Sequence, residues 1–163
     1  MPEKEVPERA REDARQGKSA STQAGEFVHE EIDHVKEGKH GARSTKQAIA
    51  IGLSKARRAG IKLPPPNEGT VSAKTWEQTI RDSAKGQGKK TQKVSATRSR
   101  ATTAALQRET NDAASHEALS RQARSSARQR GSASRKNSAR KAVRTKGHAE
   151  LKGAEQKAGG NRS

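Results

Sequence analysis

Few side chains in this sequence are equipped for catalysis. Histidine and carboxylate meet in His29-Glu-Glu-Ile-Asp-His34. Histidines four apart on a helix lie about 40° apart and can hold zinc, whereas a spacing of five turns the rings about 140° apart. The spacing here is five, so spacing alone argues against a metal. His40, His116 and His148 fall on expected loops or tail. Gly17-Lys18-Ser19 ends like a phosphate-binding loop, but Glu12 stands where that loop needs its first glycine. Gly86-Gln-Gly-Lys-Lys90 is a lone glycine pair and reads as a flexible linker. Glu30 and Glu31 sit side by side on an expected solvated helix, with no pocket to tune them for acid–base work. There is no cysteine, hence no disulfide and no thiolate metal site. The expectation is no enzyme, no cofactor, no metal and no small-molecule substrate.

The cations carry the strongest chemical signal. Lys+Arg number 35 against 18 Asp+Glu, a formal net charge of +17. Ser83–Arg108 and Ala118–Ala149 contain no carboxylate. Lys and Arg neutralise phosphates and release condensed counterions, which drives sequence-independent binding. The candidate nucleic-acid contacts in the tail are Lys85, Lys89, Lys90, Lys93, Arg98, Arg100, Arg121, Arg124, Arg128, Arg130, Arg135, Lys136, Arg140, Lys141, Arg144 and Lys146. Lys46, Arg57, Arg58 and Lys62 join them from the preceding segment. The blander reading is a solvated tail that keeps the protein soluble, but the charge exceeds what solubility needs. With one Phe, one Trp and no Tyr, stacking platforms for single strands are not available. DNA is the expected partner and RNA the alternative.

The elements that must position these residues are helical and thinly supplied with core. Hydrophobic residues make up 28% of 163, well below the apolar content of about 45–50%, glycine included, of ordinary domains. High charge with low hydrophobicity predicts extensive disorder and excludes a large enzyme fold or a β-sandwich. The longest apolar run, Ala48–Leu53, falls far short of the ~20 residues that span a bilayer. Residues 1–37 carry six basic and ten acidic side chains, residues 38–63 seven basic and none acidic. The first stretch is therefore acidic and the rest of the chain basic.

Pro7 to Gln16 reads as a marginal helix, polar on all sides, in a charged arm over residues 1–20. Ser21 to Glu37 places Ala24, Phe27, Val28, Ile32 and Val35 on one stripe, with Gly38 as its stop. Ser44-Thr-Lys-Gln47 fits a capping box for a helix over 44–59, stopped by Gly60 and by Pro64-Pro-Pro66. The short Gly38–Arg43 link predicts an antiparallel hairpin, with Gly52 and Ala56 permitting close approach. A third helix over 72–84 would bring Trp76, Ile80 and Ala84 against the hairpin and complete a core unit over 21–84. Beyond Lys85 the apolar content is mostly Ala, so residues 98–130 should form only transient helices and residues 131–163 none.

Lys46-Gln-Ala-Ile-Ala-Ile-Gly-Leu-Ser-Lys-Ala-Arg-Arg-Ala-Gly60, with His34-Val-Lys-Glu-Gly-Lys-His-Gly41 before it, resembles the signature of a family of small basic bacterial proteins of uncharacterised function. The resemblance spans roughly residues 26–66. It implies a bacterial origin and nucleic-acid association, and it supplies no catalytic residues.

The expected architecture is mostly α: a helical hairpin or small three-helix unit, then a long, basic, largely disordered tail over 85–163. The expected function is non-specific DNA binding or compaction through that tail, in the bacterial cytoplasm at the nucleoid. The alternative is a protein-interaction module, in stress response or plasmid maintenance, that acts through the hairpin. As a helix-turn-helix the hairpin would present Lys46, Arg57 and Arg58. A packing hairpin is the simpler reading, because capping already employs Gln47, the one long amide placed to read bases.

Overall fold

A computed structural model describes residues 5–67, 69–88 and 95–144. The fold is mostly α, with no strand among the described residues. The helices are α1 (Glu5–Arg15), α2 (Ala20–Lys36), α3 (Thr45–Arg58), α4 (Ala73–Gly86), α5 (Ala96–Gln107) and α6 (His116–Gln129). A 3-10 turn at Asp112–Ala114 precedes α6, and residues 131–144 form a further helix, α7. The chain divides into two compact units, Met1–Leu119 and Ser120–Ser163, with the boundary inside α6.

Local chemistry explains the helix ends. Ser19, Ser44, Ser72 and Ser95 each accept a bond from the third helical N–H of the helix they open. At Ser44 the reciprocal partner is shifted: the Gln47 side chain accepts from the Arg43 amide at 2.9 Å. At the far end of α3, Gly60 takes φ +96°. Its N–H reaches the Arg57 carbonyl, and the Ile61 N–H reaches Ala56. That pair of bonds is a Schellman stop, and Ile61 packs back on the core beside it.

The α2–α3 hairpin is the main packing unit of the first half. Its backbones touch at Gly52, where a Cβ would lie 2.7 Å from Val28 Cα and 2.9 Å from the Phe27 carbonyl oxygen. One core cluster joins Val6, Ala10, Ala24, Phe27 and Ala56; a second joins Val35, Ala42, Ala48, Ala113 and Ala114. Alanine dominates both, which is how so apolar-poor a chain fills its interior.

Four expectations change here. First, α1 is not polar all round: Val6 and Ala10 sit four apart on one face and are fully packed. Second, α4 does not bury its apolar side chains. Trp76 is 38% exposed and Ile80 42%, while Thr79 and Asp82 are buried. Asp82 receives bonds from Ser54 and from Gln78, and Arg58 lies 3.5 Å away. α4 therefore joins α3 through a satisfied polar seam.

Third, the segment after α5 is anchored. The Gly41 and Ala42 amides donate to the Leu106 and Thr110 carbonyls at 2.9 and 3.0 Å, and Thr45 Oγ1 donates to the Ala113 carbonyl at 2.6 Å. A Cβ on Gly41 would collide with the Glu109 carbonyl. The Ala113–Ala114 pair needs no wide stripe, because the hairpin loop offers backbone donors as well as an apolar pocket. Fourth, residues 131–144, expected to be disordered, are helical; Ala, Arg and Lys favour that state. Residues 145–163, covered by the same expectation, lie outside the described residues.

Candidate nucleic-acid interface

In the second unit, Arg121, Arg124 and Arg128 follow one another at spacings of three and four along α6 and share a face. Lys136, Arg140 and Arg144 do the same at spacings of four along α7. With Arg130, Arg135 and Lys141 they are all exposed. Between Glu117 and Glu150 there is no carboxylate. Among the described residues, Arg121, Arg124, Arg128, Arg130, Arg135, Lys136, Arg140 and Arg144 form no salt bridge. The Arg130 and Arg135 side chains reach only the Ser126 and Ala127 carbonyls. Arg98 and Arg100 on α5 are likewise exposed.

The candidate cations before α5 fall into two groups. Lys46, Lys62 and Lys85 are exposed. Arg57 is partly covered: its Nη2 donates to the Pro64 carbonyl at 3.2 Å. Burial pushes its guanidinium below the ordinary arginine value, and the Asp82 charge opposes that shift. Arg58 donates to Ser54 Oγ at 2.8 Å and faces Asp82. The two arginines a reading helix would present are thus occupied in holding α3 to its surroundings. Lys89, Lys90, Lys93 and Lys146 lie outside the described residues.

A buried charge cluster escaped the sequence reading. Glu31 is 0% exposed, and Glu30 is buried beside it on α2. Lys55 of α3 brings its Nζ to 2.6 Å from Glu31 Oε2 and 3.7 Å from Glu30 Oε2. On the other side of Glu31, His40 Nε2 is 3.2 Å from Oε1. The His34 ring stands edge-on to His40, with centroids 6.1 Å apart. His29, the expected companion of His34, points away and pairs with Asp33 at 2.9 Å. The pairing that forms is between the end of α2 and the turn beyond Gly38. Its signal in the sequence is His34 and His40 on either side of a helix stop, which a search along one helix face does not test.

No helix among the described residues is long and apolar enough to cross a membrane. No curated protein and no solved structure matches the chain. Residues 15–67, which run from the end of α1 through α2, α3 and the proline spacer, match a family of unknown function, DUF6496.

Proposed function

We propose that this protein binds nucleic acid, duplex DNA first of all, through phosphate contacts from the exposed cationic faces of α6 and α7. The observation that supports the reading is a run of exposed arginines and lysines with no carboxylate between Glu117 and Glu150. Cations without acidic neighbours keep their charge for a polyanion, and helical spacing arrays them along a line as backbone phosphates are arrayed. The binding is sequence-independent, since no Asn or Gln on α3 is free to read base edges. Compaction of DNA in a bacterial nucleoid is the biological setting this chemistry suits.

The test is a titration of labelled duplexes of unrelated sequence with the full chain across a salt series. Engagement of about ten phosphates predicts an affinity loss of roughly 10³–10⁵-fold between 50 and 200 mM salt, alike for every duplex. A flat salt dependence, or no binding near physiological salt, sinks the reading. Competition with structured RNA decides between the two nucleic acids.

A second reading rests on α4, where Trp76 and Ile80 stay exposed one turn apart. It makes the protein an interaction module whose partner covers that face. Under it Trp76→Ala abolishes partner capture, while loss of the α6 and α7 cations leaves capture intact.

A further inference from the structure

We infer that Glu31, His34 and His40 form a binding site for a divalent transition metal, zinc being the best match. Their ligand atoms all lie within 4.8 Å of one another. Glu31 and His34 are three apart on α2 and share a face. The turn at Gly38, with φ +71°, brings His40 back toward them.

The decisive geometry is at His40. Its Nδ1 lies 3.1 Å from the Gly41 carbonyl oxygen. A carbonyl only accepts, so Nδ1 carries a proton, and Nε2 is the nitrogen left to present a lone pair to a metal ion. That lone pair faces Glu31 Oε1 at 3.2 Å. Two acceptors at that separation require a cation between them, either a proton or a metal ion. Neither buried oxygen of Glu31 has a hydrogen bond of good geometry, so Oε1 remains available as a ligand. Bonds of 2.0–2.1 Å in a tetrahedron put two ligand atoms about 3.3–3.4 Å apart, close to the separation seen.

The surroundings are those of a tuned metal site. The Gly41 carbonyl fixes the His40 tautomer, as the outer partner of a ligating histidine does. Lys55 takes Oε2 of Glu31 and leaves Oε1 to the ion. Two imidazoles and one carboxylate suit zinc, with cobalt, nickel and copper following from the same donors. Three protein ligands leave a fourth position for water. The site lies in the first unit and stands apart from the nucleic-acid reading.

The test uses the full chain, stripped with chelator and titrated calorimetrically with zinc chloride, and in parallel with Co²⁺ followed by absorption. We expect one equivalent per chain and the strong visible bands of four-coordinate cobalt. His34→Gln and His40→Gln should each weaken binding at least about 100-fold, beyond what loss of an outer partner costs, with helical circular dichroism retained. Zinc should raise Tm in the native chain and leave Tm of His40→Gln unchanged. His29→Gln, outside the cluster, should bind as the native chain does. No binding by the native chain overturns the site, as do weak bands of six-coordinate cobalt. Equal weakening by His29→Gln and His40→Gln overturns it too. So does a ¹⁵N spectrum with both His40 nitrogens protonated at one equivalent of zinc, which would make the cation a proton.

Discussion

Arg9 and Arg121 carry the same guanidinium, yet only Arg9 has a carboxylate to meet. Arg9 Nε donates to Glu26 at 2.7 Å, and that bond holds its guanidinium above the ordinary arginine value against a desolvation cost. Lys18 meets Asp13, Lys55 meets Glu31, and Arg58 meets Asp82. The first unit thus spends much of its positive charge on its own acids. In the described part of the second unit there are no acids, and the arginines stand exposed along helix faces. Net charge alone does not locate a polyanion site. On the function proposed above, the site lies where the cations lack internal partners.

The largest test of this contrast removes the second region's charge. Replacing Arg121, Arg124, Arg128, Arg135, Arg140 and Arg144 by Gln should lower duplex affinity about 10³-fold or more at moderate salt. The salt slope should fall by about one for each residue. All six are exposed, so denaturant unfolding should move by less than about 0.5 kcal/mol for each. A comparable loss from Arg57→Gln and Arg58→Gln would break the contrast and return the reading helix to the hairpin.

The mirror experiment is Lys55→Met. It removes the lysine from Glu31, whose side chain is 1% exposed and keeps His40 beside it, and should cost about 3 kcal/mol of stability in urea unfolding. Affinity for DNA at fixed salt should not change. If it falls with the fold intact, charges of the first unit also reach the ligand.

Thr45→Val sharpens the comparison at the anchored segment of the first unit that precedes α6. It removes the 2.6 Å bond to the buried Ala113 carbonyl and should cost about 1–3 kcal/mol. Hydrogen exchange at the Gly41 and Ala42 amides, which bond to Leu106 and Thr110, should speed up with it. The smallest effect is Ser44→Ala. Losing the cap on Gln47 should cost about 1 kcal/mol, without any change in the salt slope.

Much of the hairpin was legible because its signals are local. Ser44, the apolar spacing of α2, and the stop at Gly60 act within a few residues of themselves. Gly52 was legible as a point of close approach because nothing larger fits between two backbones. The packing of α1 was not legible. Val6 and Ala10 are two small residues among charges, and they find a core only where Ala24, Phe27 and Ala56 are brought to them. Trp76 misled for the opposite reason. A large apolar side chain four residues from another on one helix face suggests burial, but α3 offers Ser54 and Arg58 to that helix, and Asp82 answers them.

The candidate sites divide in the same way. That residues 118–149 are cationic without relief is a property of the sequence, and no folding changes the count. That most of these cations stay without internal salt bridges, while Arg57 and Arg58 do not stay free, depends on which groups the fold brings within reach. The meeting of Glu31, His34, His40 and Lys55 depends on the turn after α2 and on the approach of α3. Helix ends, spacing and charge runs are set by neighbours along the chain, so the sequence by itself determined them. Which alanines form a core, which face of α4 is buried and which charges are matched are set by contacts distant in sequence, and only the tertiary structure decided those.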